Sequence, residues 1–349
     1  MNVLLVSPLP PPVGGIATWT ENYLKFFNGS TVNVDIVNNA TIGKRANDFG
    51  SKRNILEEIL RLTNIVKKIV SFRRNEKYDI VHICTSCSPM GILKDYICMF
   101  FCGKDNIVLH CHCNIEDQIH NNKIGLFFLE KSLKKAKCIF VLNQKSKEYV
   151  SKFCSTQTEI VPNFIAESLV SNSCVIKEKV KEIVFVGHII KTKGVLELVS
   201  AAESFPDIHF SFVGPIANEM STIECTKNVD FLGSKTNEEV CSFLEKADVF
   251  AFPSYTEGFS VALLEAMSKG LPCIATEVGA NKEMLEEKGG VIIPAKDEQA
   301  IIDAISFICN KEIRQQMSEW NIKKVRSCYT ENIVLNRIAE LYGEIVKGK

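Results

Sequence analysis

Apolar runs short enough for strands alternate with stretches of helical spacing from one end of the chain to the other. Asn2–Ser7, Val32–Val37, Asp79–Cys84, Asn106–Cys111 and Lys137–Leu142 read as buried strands. Ile16–Phe27 spaces its apolar residues as a helix does. Asn54–Arg74 does so over a longer stretch, with Ile55, Ile59, Leu62, Ile69 and Phe72 on one face. A polar segment, Pro162–Ser173, follows and reads as a linker. The plan then repeats. Strands are expected at Glu182–Gly187, Ile208–Val213, Val229–Leu232, Val249–Phe252, Pro272–Ala275 and Gly290–Ile293. Helices are expected at Gly194–Ser204, Glu238–Lys246, Glu298–Asn310, Ile313–Arg326 and Glu331–Val346. Apolar strands separated by helices imply parallel sheets with helices on both faces. The class is α/β, with two Rossmann-like domains: 1–167, 168–330, and a terminal helix, 331–349, packing back on the first. Ligands of such sheets bind outside the carboxyl ends of the strands. A cleft between the two domains is the expected place.

Composition narrows this little. The 349 residues carry no net charge, which gives no sign of a nucleic-acid partner. The halves differ. Residues 1–167 hold 21 basic against 15 acidic side chains, a net of 21 − 15 = +6, and the remainder balances it. A basic half suits an anionic surface. The start, Met1–Ser7, reads as a strand and not a signal peptide. The densest apolar run, Tyr96–Cys102, is too short to span a bilayer. The expectation is a cytoplasmic protein, and fourteen scattered cysteines read as small buried hydrophobes.

The chemistry concentrates in Phe252–Pro272. Two acids, Glu257 and Glu265, stand eight positions apart across an expected loop-to-helix turn at Gly258. Helix starts attract anions through free N–H groups. Acids beside such a start make sense if they bind hydroxyls while N–H groups and cations take a phosphate. That pairing describes a nucleotide sugar. An acid within Val-Ala-Leu-Leu-Glu265-Ala-Met is costly to leave unpaired, which argues for function.

These residues resemble retaining glycosyltransferase family 4, the glycosyl transferases group 1 enzymes of GT-B fold. Glu257–Pro272 resembles the family's E-x7-E signature with its following turn. Val278-Gly-Ala-Asn-Lys-Glu283 is similar to the continuation, Phe185–Gly194 to the phosphate-binding strand end, and Pro12-Val-Gly-Gly-Ile16 to the first glycine loop. The resemblance implies that Glu265 binds donor ribose and Glu257 the transferred sugar. It implies that the main chain of Gly258, Phe259 and Ser260 meets sugar or phosphate, and that Gly15 lies beside the donor. Lys193 stands at the family's lysine position. His188 stands where the family has arginine. Histidine loses charge as pH rises, so donor use is expected to weaken from about pH 6 to 8 and His188→Arg to flatten the change. In the first domain, His112 is aligned with the family's histidine near the reacting sugar, with His110 one repeat away on the same face.

No D-x-D pair occurs, in keeping with the metal-independent chemistry and lack of cofactor that the resemblance implies. A zinc set drawn from Cys84, Cys87 and His110–Cys113 is the competing idea. Strand alternation lets only His110 with His112, or Cys111 with Cys113, converge. The implied function is sugar transfer from a nucleotide-diphosphate sugar to a glycan or lipid-linked glycan. By analogy the setting is bacterial surface polysaccharide: O-antigen and lipopolysaccharide, capsule or exopolysaccharide. The basic Asn54–Arg74 helix and Lys131, Lys134, Lys135 and Lys137 fit peripheral contact with an anionic inner membrane face. A nucleotide-sugar epimerase and a non-catalytic GT-B scaffold stay open. A dehydrogenase fits poorly, since the first loop lacks G-x-G-x-x-G.

Overall fold

The computed structural model describes residues 1–11, 14–41, 55–103, 105–119, 122–220 and 223–348. Pro12, Val13, Arg53 and Asn54 lie outside the described residues. The chain divides into two units: Met1–Asn163 with Val334–Lys349, and Phe164–Ile333.

The first unit holds a parallel sheet of β1 (Asn2–Ser7), β2 (Asn33–Asn38), β3 (Ile80–Thr85), β4 (Ile107–Cys111), β5 (Cys138–Val141) and β6 (Gln157–Ile160), in the order β2-β1-β3-β4-β5-β6. β3, β4 and β5 are buried at every position, so both faces are covered and the sequence reads as an unbroken apolar run. β6 escapes that reading. It is an edge strand of Gln-Thr-Glu-Ile, half-buried, with no apolar run to detect.

The second unit holds another parallel six-stranded sheet, of β7 (Glu182–Val186), β8 (His209–Val213), β9 (Val229–Gly233), β10 (Val249–Phe252), β11 (Cys273–Thr276) and β12 (Gly290–Ile293). Their order is β12-β11-β10-β7-β8-β9. Each sheet reverses its direction of winding once, between β1 and β3 in the first and between β7 and β10 in the second. Ligands of open parallel sheets bind at such reversals.

Three expectations need adjustment. The division falls at Asn163, not at residue 167. The segment read as a linker is hydrogen-bonded into the second unit: Ile165 N donates to Tyr329 O at 2.9 Å and Ser171 N to Ser268 O at 2.9 Å. Its polar look reflects main-chain pairing outside any long strand. The long helix, Ile55–Asn75, also divides its apolar stripe. Ile69 is buried, while Ile55 and Ile59 are 74% and 55% exposed. No helix among the described residues is long and apolar enough to cross a membrane. The last helix, Glu331–Val346, gives Leu335, Ile338, Leu341 and Tyr342 to buried positions and belongs to the first unit from Val334 onward.

Candidate functional site

At the β7–β10 reversal two loops lie against each other. After β7, the chain passes Gly187 and His188 to a short turn, Lys191–Lys193, then enters the helix Val195–Ala202 through Gly194. Gly194 has φ +69, and a Cβ there would stand 2.0 Å from Pro253 O. Only glycine allows this contact with the loop after β10. Tyr255 N donates to Thr192 O at 2.9 Å, and the Tyr255 hydroxyl donates to Glu197. The packing brings Lys193 onto Glu257, where the two form an ion pair with side chains 23% and 12% exposed. Lys193 Nζ also lies 5.3 Å from the centre of the Phe252 ring. The helix that starts at Val195 has no side-chain cap, so its positive end adds to the lysine charge. His188 is exposed on the same strand end.

The helix carrying Glu265 begins later than expected. It spans Val261–Ser268, with Ser260 as its N-cap: Ser260 Oγ accepts from Leu263 N at 3.2 Å. A cap of this kind contributes about 1 kcal/mol. Gly258 is therefore loop, Glu257 precedes the cap, and Ser260 has its hydroxyl committed to the helix. The loop is held from the far side by the turn after β11. Gly279, at φ +53, would place a Cβ 2.4 Å from Glu257 O, and Ala280 N donates to Gly258 O at 3.0 Å. This is the physical reason for the glycine in Val278-Gly-Ala. Phe259 is buried with its ring 5.5 Å from Tyr329, so its main chain alone is left for a ligand.

Glu265 lies inside the helix, not at its start, between buried Leu264 and Ala266. Among the described residues its carboxylate has no side-chain partner. Burial raises its pKa from 4.5 to about 7. A half-buried carboxyl in this state lacks donors, and a pair of ligand hydroxyls would supply them.

The first unit carries the remaining residues. Gly14 caps the helix Gly15–Phe27 with an ordinary extended φ of −173, and a Cβ at Gly14 or Gly15 would meet nothing within 4 Å. Neither turn geometry nor packing demands glycine there. Both line a cavity of about 720 Å³ at the β1–β3 reversal, together with Ile59, Leu62, Cys84, Thr85 and Ser86. His112 follows β4, and its N–H donates to Thr85 O at 2.9 Å. Its ring lies 3.8 Å from that of His110 and 4.9 Å from that of Trp19. Burial lowers its pKa to about 3, against the opposing contact of Asn163. The imidazole is neutral at ordinary pH.

The zinc set considered from sequence does not assemble. Cys84 joins His82 and His110 on one face of the sheet. Cys87 instead contacts Cys111 and Cys113, in the apolar core of the other face. His82 went unremarked in the sequence reading. Its signal was a polar residue within the otherwise apolar run Ile80–Cys84.

A family model described as "Glycosyl transferases group 1" matches residues 170–324. A putative teichuronic acid biosynthesis glycosyltransferase, TuaC, of Bacillus subtilis is 26% identical over 207 residues, 56% of this chain and 52% of that protein. The chain thus spans about half the length of that relative. An Escherichia coli UDP-Gal:alpha-D-GlcNAc-diphosphoundecaprenol alpha-1,3-galactosyltransferase is 26% identical over 326 residues, covering 84% of this chain and 81% of that one. Among solved structures, sucrose-phosphate synthase from Thermosynechococcus elongatus superposes with a TM-score of 0.81 at 17% identity, covering 100% of both chains. That likeness is one of fold, and the fold is of the GT-B type.

Proposed function

We propose that this chain, which belongs to the glycosyl transferases group 1 family through residues 170–324, moves a sugar from a nucleotide-diphosphate sugar to an acceptor hydroxyl with retention of anomeric configuration. The observation that carries the reading is the Lys193–Glu257 pair at the β7–β10 reversal, beside an uncapped helix start. In this pair each side chain neutralises the other. A bound donor separates their tasks. Lys193 turns to the diphosphate, whose charge it offsets as the glycosidic bond breaks, and Glu257 takes sugar hydroxyls. Glu265 accepts from the ribose hydroxyls, which favour its charged form. The leaving diphosphate then accepts the proton of the incoming hydroxyl on the same face, which keeps the anomeric configuration. Positive charge at this step comes from Lys193 and the helix start, without a divalent cation.

The acceptor in this reading is a glycan on a lipid carrier, in surface polysaccharide assembly at the inner face of the cytoplasmic membrane. The E. coli relative is described with a diphosphoundecaprenol acceptor. The first unit supports it with the exposed apolar residues Ile55, Leu56, Ile59 and Leu60, beside the cavity and followed on the same helix by exposed Lys67 and Lys68. Such a face suits an anionic membrane surface.

The test is a thermal-shift screen of nucleoside diphosphates, followed by transfer from the matching nucleotide sugar to a lipid-linked acceptor. The anomeric configuration of the product is read by NMR. Stabilisation by one nucleotide and a retained anomer are expected. An inverted anomer, or donor conversion that needs no acceptor, contradicts the proposal.

A further inference from the structure

His82 and Cys84 are alternate residues of β3 and share one face, and His110 is the register partner of Cys84 on β4. One ligand atom from each lies within 4.8 Å of the other two. His82 Nε2 is 3.2 Å from His110 Nδ1 and 3.8 Å from Cys84 Sγ. Donor atoms around an ion with metal–nitrogen bonds near 2.0 Å and metal–sulfur bonds near 2.3 Å stand about 3.2–3.8 Å apart. The other ring nitrogen of His82 is hydrogen-bonded to the Tyr342 hydroxyl, which lies 2.9 Å from that of Tyr23. A second partner of this kind fixes the ring of a metal-binding histidine. Trp19 stands edge-on to both histidines, at 5.7 and 5.2 Å, and closes the face. Cys84 also lies on the wall of the first unit's cavity, which gives an ion a way in.

We propose that His82, Cys84 and His110 form a binding site for one copper(I) ion. Charge selects the ion. A thiolate with two neutral imidazoles carries one negative charge, so a monovalent cation leaves the buried site neutral. A divalent ion would leave one positive charge, at a cost of several kcal/mol. Asp95 acts on Cys84, but it is paired with Lys94, which acts with opposite sign. Thiolate and imidazole donors also suit copper(I) chemically. On binding, Cys84 Sγ loses its proton to solvent. The proton between His82 Nε2 and His110 Nδ1 moves to the outer nitrogen of its own ring, which faces Tyr342 in His82 or the Val161 main chain in His110. One proton leaves, one copper(I) enters, and nothing is oxidised or reduced.

The test is anaerobic titration of the full chain with copper(I) against a chromophoric chelator, with X-ray absorption on the loaded protein. Wild type should retain one copper per chain, release one proton, and show two nitrogen and one sulfur neighbours. Cys84→Ser should lose that copper while its metal-free melting temperature is kept. Cys225→Ser, at an exposed cysteine, should retain it. Equal retention by Cys84→Ser overturns the proposal. So does an all-sulfur shell, which points to Cys87, Cys111 and Cys113, or retention of zinc(II) where copper(I) is lost. The absorption shell is read on wild type and does not depend on any variant folding.

Discussion

Each sheet reverses its winding once, after two strands in the first and after three in the second, and the two reversals are put to different uses. In the first unit the β1–β3 reversal opens on a cavity of about 720 Å³, whose wall mixes Gly14, Gly15 and aliphatic side chains with charged ones such as Glu58, Arg61 and Lys94. In the second, the loops at the β7–β10 reversal pack closely on one another. Gly194 and Gly279 let three loops meet main chain to main chain, and the charged pair Lys193–Glu257 sits on the packed surface. The difference teaches what each reversal can recognise. A roomy hollow that sets charged groups among aliphatic ones suits bulky amphipathic matter. A dense, charged rim suits a small anion with hydroxyls on both sides.

The contrast breaks most readily at Lys193. Lys193→Ala should lower turnover by about 10²–10³-fold, the effect of losing one charge-stabilising group, as measured by acceptor-dependent transfer. A loss under tenfold would leave the second reversal with no special electrostatic role. The glycines sharpen the comparison next. Gly279→Ala must hold a left-handed φ and displace Glu257 O, and urea unfolding should show a loss of about 1–3 kcal/mol. Gly15→Ala has open space and an unchanged midpoint. Equal losses at both positions would erase the distinction.

Glu265 gives a smaller effect with a defined sign. Its folded-state pKa of about 7 exceeds the unfolded value of 4.5, so between these pH values the folded chain holds the proton more firmly. Stability therefore falls as pH rises through that window and stays reduced above it. Glu265→Gln removes the penalty. It should stabilise the protein by about 1–2 kcal/mol at pH 8 and not at pH 4, while nucleotide binding weakens. Stabilisation that is the same at both pH values contradicts this. The least effect on the protein itself is expected from Leu56→Ser with Ile59→Ser. The melting temperature should stay unchanged, but co-sedimentation with anionic liposomes should drop. Unaltered sedimentation removes the membrane face from the account.

The central strands were legible because both faces are buried, so the sequence could spell them as apolar runs. Edge strand β6 was not, since half its surface meets water. Glu257, Glu265 and Lys193 were legible by type and spacing. Their mutual geometry was not, because it depends on Gly194 and Gly279 touching carbonyls distant in sequence. The helix start was misplaced at Gly258 for a related reason. Ser260 is the side chain that caps the helix, and the loop before it is held at Gly258 by the distant Ala280. Buried polar networks were the least legible. His82, Tyr342 and Tyr23 come together from three distant segments, and no local pattern announces that contact.

The most direct test of the donor site is calorimetric titration of wild type, Lys193→Ala and Glu265→Gln with UDP, GDP and ADP in parallel. One nucleotide should bind wild type at a single site. Each substitution should weaken it by about 10–100-fold, the worth of a hydrogen bond to a charged group. Binding that is absent for all three nucleotides, or unaltered in both variants, would contradict a donor site at the β7–β10 reversal.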